Sequence, residues 1–344
     1  MPTGTGNCNL RRLTRIGLIG AGNISTTHAR AIATLDDAGV AAVYAPTLAR
    51  AKALADAHGA RAYDALDSFL ASEPLDIVAI GTPSGLHGAH GAAAARRGIH
   101  LLVEKPLEIT VARADALIAE ADRAGVTLGV VFQDRMKPGV RALKASIEAG
   151  EFGPLSLVQA QVPWWRPPEY YRESRWRGTW ALDGGGALMN QAIHTVDLML
   201  WLCGPVTRVY GRTAARFHAI VVEDTAAALL EFASGAIGTL AATTCAYPGF
   251  PRRIEIAGAK GGAVLEGDRL VREPSAPSPA PENVASPVVS DVSAHRAVFA
   301  DFIHAIGTPT GPCCDGRAAR RSVQLVEAIY ESARRATPVV LAPS

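Results

Sequence analysis

The chain has 344 residues, 49% hydrophobic and only 19% charged, which is length for about two domains and excludes disorder over most of it. A formal net charge of +2 sets up no strong field to draw nucleic acid or an anionic membrane. No apolar run approaches the roughly 18 residues of a spanning helix.

Five cysteines (Cys8, Cys203, Cys245 and the adjacent Cys313 and Cys314) form no metal-type spacing. An odd, scattered set fits reduced thiols and a cytoplasmic protein. Arg11-Arg12 ahead of the apolar stretch 16–22 mimics a twin-arginine export signal. That stretch is short and runs into Asn23, Ser25, Thr26, Thr27 and His28, so a buried first strand is the better reading, with residues 1–13 a disordered leader.

In chain order, the apolar run 15–19 predicts a strand, 26–35 a helix, 40–44 a strand and 48–58 a helix stopped by Gly59. Strand 76–81, helix 85–97, strand 100–104, helix 111–124 and strand 127–132 follow. Strands separated by helices of this length imply parallel crossovers, hence a doubly wound α/β Rossmann domain over 14–134. Beyond it the pattern changes. Strands at 155–162, 206–216, 225–232, 236–244, 253–257 and 262–266, joined by short Gly-containing turns, predict a largely antiparallel sheet. Helices 137–149 and 186–202 interrupt it, 272–287 is a Pro/Ser/Ala-rich loop, and helices 295–307 and 316–335 close the chain by packing back. The second domain, 135–344, is therefore α+β and suited to substrate binding and oligomerisation.

Gly20-Ala21-Gly22-Asn23-Ile24-Ser25 follows the first strand and opens a helix, the context of a dinucleotide-binding turn. Gly20 permits the tight turn, Gly22 lets backbone amides approach a pyrophosphate, and the helix N-terminus, with Asn23 and Ile24, offers amides to negative charge. Ser25 replaces the usual third Gly or Ala. The second strand ends Val43-Tyr44-Ala45-Pro46-Thr47, without the acid that would bind an adenine ribose 2′-hydroxyl. Thr47 and Arg50 could instead contact a 2′-phosphate, which favours NADP over NAD; Arg50 could equally be a solvated helix charge.

Glu104-Lys105-Pro106 closes the strand 100–104, at the sheet end where ligands bind. With it stand Gly81-Thr82-Pro83-Ser84 and His87, then Gly184-Gly185-Gly186-x-x-x-Asn190-x-x-x-His194-x-x-Asp197, then Glu223-Asp224-Thr225. In this order, over nearly the whole chain, these motifs resemble the Gfo/Idh/MocA family of sugar and polyol dehydrogenases. The resemblance implies an NAD(P)-dependent hydride transfer between nicotinamide and a secondary alcohol or ketone. It places Thr82, Pro83 and His87 near the nicotinamide ribose, Glu104 and Lys105 beside the ring, and a dimer or tetramer built through the C-terminal sheet.

The alcohol proton needs an acceptor with a pKa near the working pH. His194 suits this if unperturbed, and Lys105 suits it after burial or binds the oxygen as a cation. Asn190, His194 and Asp197 fall at i, i+4 and i+7 on one helix face. Position 190 is usually Asp in the family, so Asn190 leaves Lys105 and His194 as the main pair and Asp197 as a structural group. Gln133 and Arg135, after the last strand of the first sheet, could reach the substrate; Arg135 could equally form an interdomain ion pair.

Residues 164–180 hold four of the five Trp, Tyr170 and Tyr171, and Arg166, Arg172, Arg175 and Arg177. Aromatic faces such as Trp165 and Tyr171 suit sugar rings, and guanidinium forks such as Arg166 suit carboxylate or phosphate. A sugar acid, sugar phosphate or nucleotide sugar fits, as does an ordered loop or an oligomer contact. No metal spacing joins His194, Asp197 and His218. Two other readings share the motifs: a hydrolase or lyase that oxidises its substrate transiently on bound NAD, and a dinucleotide-binding regulator without turnover.

Overall fold

The computed structural model describes residues 13–342 except 73, 268 and 272–290; the loop expected at 272–287 and most of the expected leader lie outside the described residues. The first sheet contains β1 (Thr14–Ile19), β2 (Ala38–Tyr44), β3 (Arg61–Tyr63), β4 (Ile77–Ile80), β5 (His100–Glu104) and β6 (Leu128–Val131). It is parallel throughout, in the order β3-β2-β1-β4-β5-β6. Helices α1 (Asn23–Ile32), α2 (Leu48–Asp56), α3 (Leu66–Ser72), α4 (His87–Ala95) and α5 (Val111–Ala124) connect the strands. The chain runs outward from β1 to β3 and then returns to β4 on the other side of β1. The crevice at the carboxyl end of β1 is thus the topological switch point, where such sheets bind ligands.

Two elements escaped the sequence pattern. Strand β3 has only three residues, and α3 lies in the stretch between predicted elements; its Phe69 is fully buried. Helix α1 also starts earlier than expected, at Asn23. The Thr26 and Thr27 hydroxyls donate to the carbonyls of Gly22 (3.3 Å) and Asn23 (3.2 Å) within the first turn.

The second sheet is built from β7 (Leu155–Pro163), β8 (Val206–Ala214), β9 (Thr225–Phe232), β10 (Ile237–Thr243), β11 (Arg253–Gly258), β12 (Gly262–Glu266), β13 (Arg269–Val271) and β14 (Val339–Val340). Their order is β13-β12-β11-β7-β10-β9-β8-β14, antiparallel except for the β7–β10 pair. One face alternates inward, with Val158, Ala160, Val162, Leu230 and Leu240 buried in the main core. The other stays exposed, and register sets Leu157 beside Ile237, and Tyr210 beside Leu229.

Helices α6 (Pro138–Glu148), α7 (Glu169–Arg172), α8 (Ile193–Cys203), α9 (Ser293–Ala305) and α10 (Gly316–Arg335) complete the fold. Helix α10 starts at the predicted residue because Asp315 Oδ1 accepts the Ala318 amide (2.7 Å) as an N-cap. The last two helices reach back to the first sheet. A Cβ at Gly129 of β6 would lie 2.6 Å from the Phe302 ring of α9, and one at Gly316 of α10 would lie 2.6 Å from Leu128.

The helix expected over 186–202 is two elements: a π-helical turn, Ala187–Ala192, and then α8. Asn190 therefore belongs to the wider turn, and the single regular face drawn through Asn190, His194 and Asp197 does not form. Such π turns recur at functional sites because they re-aim side chains and carbonyls.

Candidate active site

At the switch point, Gly20 takes φ +115°, and a Cβ there would meet the Gly81 carbonyl oxygen at 2.7 Å. The tight turn therefore requires Gly20. Gly22 is different: a Cβ there would meet nothing within 4 Å. The protein's own packing does not call for this glycine, whereas a pyrophosphate drawn close to the α1 amides would. Asn23 is exposed and Ile24 half-buried in the first helical turn. Ser25 is buried with its Oγ unpartnered, 3.2 Å from where a Gly20 Cβ would stand. Thr47 and Arg50 lie exposed at the start of α2, beside the end of β2. The residues present fit a dinucleotide.

The next two loops are tied together. His87 is buried, and its ring nitrogens face the Pro106 carbonyl (Nδ1, 2.8 Å) and the Thr82 carbonyl (Nε2, 3.0 Å). Its expected contact with cofactor therefore needs correction: both nitrogens lie against backbone carbonyls, the neutral ring donating to one of them, and His87 sits between the Thr82-Pro83 loop and Lys105-Pro106. The Thr82 hydroxyl pairs with His90 Nδ1 (3.2 Å).

Glu104 also points inward. Its Oε1 meets His28 Nε2 at 2.9 Å and its Oε2 accepts the Lys105 amide at 3.1 Å. Burial pushes this carboxyl up, but the His28 hydrogen bond and charge outweigh it and leave the pKa at about 2. Glu104 thus positions Lys105 rather than facing the crevice.

Lys105 reaches across to the second domain, where its Nζ donates to the Asn190 carbonyl (3.0 Å). Burial lowers its pKa, opposed by the charges of Glu104, Asp183 and Asp134 and reinforced by Arg166. The Asn190 amide donates to Asp183 Oδ1, and its Oδ1 accepts from Gln191 Nε2 (2.5 Å). The Gln191 amide group also donates to the Tyr170 hydroxyl (2.8 Å), and its Oε1 accepts from Arg166 Nε (2.9 Å). Lys105, Asn190 and Arg166 are therefore brought into one polar network.

His194 lies at the start of α8 with its side chain 12% exposed and its Nδ1 3.9 Å from Asp134 Oδ2, too far for a hydrogen bond. The Phe132 ring meets it edge-on at 5.5 Å. Burial lowers its pKa to about 3, with Lys105 and Arg252 adding to the effect and Asp134 opposing it. The imidazole is therefore not the unperturbed one expected from sequence. It stays neutral at working pH and is a weak proton acceptor.

Two further expectations change. Arg135 is 4% exposed, with Nε and Nη2 on Asp197 (2.8 and 2.6 Å) and Nη1 on the Cys313 carbonyl (3.0 Å). It is the ion pair between domains and not a substrate contact. Tyr171 is buried, its hydroxyl donating to Thr244 (3.1 Å), so it supports the wall rather than lining it. Trp165 is half-buried among Phe217 (5.2 Å), His218 (6.3 Å) and Tyr247 (5.5 Å), and Gln133 is half-buried next to Phe132.

Three acids complete the picture: Asp183 and Asp134, which the sequence pattern does not single out, and Glu223, which stands in a quoted motif without an assigned role. Asp183, 1% exposed, directly precedes the Gly triplet, which was the available signal. Asp134 sits between the two residues singled out after β6; Arg252 and Lys137 gather on it and hold its carboxyl well below the ordinary range, although burial alone would raise it. Glu223 accepts the amides of Gly186 (3.0 Å) and Leu188 (2.8 Å) and the Tyr330 hydroxyl (2.8 Å), and burial pushes its pKa up to about 7. It holds the turn that presents the Asn190 carbonyl. Gly186 could carry no side chain there, since a Cβ would fall 1.9 Å from the Glu223 carbonyl oxygen.

A parallel sheet with a dinucleotide turn at its switch point, and a half-buried lysine at the end of β5 that reaches across to the second domain, define a nicotinamide-dependent oxidoreductase. Comparison with known proteins agrees. Residues 14–132 match the oxidoreductase family with the NAD-binding Rossmann fold, and 140–264 match the GFO/IDH/MocA C-terminal domain. The chain is 35% identical to the WlbA dehydrogenase of Bordetella pertussis, solved in complex with NADH and UDP-GlcNAcA, with a TM-score of 0.87 over 97% of this chain and 100% of that one. It is 29% identical over 264 residues to the inositol 2-dehydrogenase of Rhizobium meliloti, covering 75% of this chain and 77% of that one. It is 30% identical over 232 residues to the UDP-N-acetylglucosamine 3-dehydrogenase of Acidithiobacillus ferrooxidans, covering 67% and 66%. The chain belongs to the Gfo/Idh/MocA family. It is an NAD(P)-dependent oxidoreductase acting on carbohydrate-like alcohols. No helix among the described residues is long and apolar enough to cross a membrane.

Proposed function

We propose that this enzyme oxidises a secondary hydroxyl of an anionic sugar, best a nucleotide sugar bearing a carboxylate, with 14–134 holding the dinucleotide and the chain from 135 onward holding the sugar. One observation carries the substrate class. Arg166 is 8% exposed, yet its hydrogen bonds go to neutral oxygens, the Gln191 amide and the Trp165 carbonyl (3.4 Å). Its guanidinium lies 5.2 Å from the Trp164 ring and 5.3 Å from the Tyr170 ring, while Arg177 lies 4.1 Å from the same Tyr170. Two guanidiniums flank one ring, with Lys105 near Arg166 and, among the described residues, no carboxylate hydrogen-bonded to either arginine. A buried cation of this kind is stabilised by an incoming carboxylate or phosphate. The complex of the WlbA dehydrogenase with UDP-GlcNAcA supports the same class.

Bound nicotinamide supplies the hydride acceptor. Lys105, its pKa lowered by burial, takes the hydroxyl proton: the O–H bond breaks, an N–H bond forms at Nζ, and the substrate carbon becomes a carbonyl as its hydride leaves. Neutral His194 fixes the substrate oxygen by a hydrogen bond. Asn190 aims Nζ through its carbonyl. Exposed Thr47 and Arg50, with no acid in the segment that ends β2, support a preference for NADP.

Replacing Arg166 by Met is expected to raise KM for UDP-GlcNAcA about ten- to a hundredfold, the loss of one charge-assisted contact, with kcat little changed. An unchanged KM removes the anion site. Measured alongside, a lower KM for NADP than for NAD is expected; the reverse order overturns the NADP preference.

The open face of the second sheet supports a dimer or tetramer. Leu157 and Ile237 pair across β7 and β10, and Leu229 and Tyr210 across β9 and β8, all between 39% and 53% exposed. Contiguous apolar side chains of this kind are commonly covered by a second copy. Light scattering is expected to give at least twice the 36.0 kDa chain mass, and a monomer mass overturns the assembly.

A further inference from the structure

We propose that Asp183 is a positioning residue for the proton transfer at Lys105, supplying across the Asn190 amide the negative charge that sets where the lysine titrates. The inference rests on the assignment of Lys105 as the proton acceptor. Asp183 is almost fully buried, and its two oxygens divide their work. Oδ2 accepts the Gly178 amide (2.8 Å), which anchors the aromatic segment. Oδ1 accepts from the Asn190 side chain, whose backbone carbonyl receives Lys105 Nζ.

The residue at 190 bears no charge, so the carboxylate of this network stands one side chain further from the lysine than a residue-190 acid would. The charged groups around Lys105 are Glu104, Asp183, Asp134 and Arg166, and the His194 imidazole also faces it. Glu104 is tied to His28, and Asp134 to Arg252 and Lys137. Asp183 alone among these acids has neutral hydrogen-bond partners, the Gly178 amide and Asn190. Its charged neighbours are Lys105 and Arg177, and Tyr171 and Tyr330 face it as neutral phenols. Its negative charge is therefore the one least neutralised by its own hydrogen bonds, and it acts on Lys105 alongside the Glu104 and Asp134 charges. Burial pushes its pKa up to about 6, against the pull of those contacts, so it is ionised at neutral pH and the effect fades on acidification.

When Lys105 takes the substrate proton, a cation forms in a water-poor site that already holds Arg166. The Asp183 carboxylate offsets that cation, and Asn190 links the two without itself ionising. This differs from a structural loop anchor, which would act through Gly178 alone.

The test is Asp183→Asn and the swap D183N/N190D, which moves the carboxylate from residue 183 to residue 190. The chain has only five lysines, so 13C-labelled lysine resolves each Cε signal, and Lys105 is assigned by its absence in Lys105→Met. In D183N the Lys105 titration midpoint is expected to fall by about one pH unit, a tenfold change in its ionisation constant. The rise of kcat/KM with pH moves down with it. In the swap both return close to the parent positions, although the bond to Gly178 is then made by an amide. If D183N folds too poorly to titrate, the swap decides alone. An unmoved Lys105 midpoint in D183N, or a swap whose midpoint stays low, overturns the proposal. The resonance readout needs no substrate, so a chain that oxidises nothing would refute the dehydrogenase reading while still reporting on Asp183.

Discussion

Replacing Lys105 by Met is expected to lower kcat by roughly 10²–10⁴-fold while leaving dinucleotide affinity unchanged. The size follows from removing the amine placed to take the proton, since Asp183 is held behind the Asn190 side chain. His194 has a pKa of about 3, and Glu104 is ionised but turned toward His28. The affinity is spared because the phosphate-facing turn belongs to β1 and α1, whereas Lys105 ends β5. Kinetics with nicotinamide fluorescence on the same sample check both halves. A variant retaining a tenth of parental kcat would move the proton transfer to another group. Equal loss of cofactor binding would make Lys105 a cofactor ligand first. Methionine keeps most of the side-chain length, so the loss reports on the amine.

The second large effect concerns stability. Arg135→Leu leaves Asp197, 1% exposed, with its two guanidinium hydrogen bonds broken and, among the described residues, the Ser322 hydroxyl (3.4 Å) as its remaining hydrogen-bond donor. Stranding a buried charge in this way costs about 3–5 kcal/mol. The pair joins the turn after β6 to α8, and Arg135 also binds the Cys313 carbonyl ahead of α10. The melting temperature should fall by roughly 5–10 °C. Adding Asp197→Asn should recover part of the loss, because the amide has no charge to strand. A double variant no more stable than R135L would contradict an ion-pair origin.

The sequence carried most of the Rossmann order because the parallel strands there, the three-residue β3 excepted, are short, largely apolar runs separated by helices of regular length. It carried Lys105 because the turn after such a run opens onto the crevice, although Glu104, one residue earlier, turns inward to His28. What it did not carry is pairing. Arg135 looks equally like a ligand group or an interdomain tie until Asp197 is placed against it, and Asp197 is 62 residues away. His87 looks like a surface helix start until the Pro106 carbonyl is seen above it. The π turn at Ala187–Ala192 has no compositional signature; it comes from Glu223 gripping the Gly186 and Leu188 amides, a long-range contact. For the same reason burial took His194 out of the range that its spacing in the motif had suggested.

The most direct test mixes the chain with UDP-GlcNAcA and either NAD or NADP, and follows both the nicotinamide absorbance and the product mass. The account predicts reduction of the cofactor in step with a product two hydrogens lighter than the substrate. A cleaved or dehydrated product with no net change in absorbance would instead point to transient oxidation. Failure to bind either dinucleotide would contradict the account at its root.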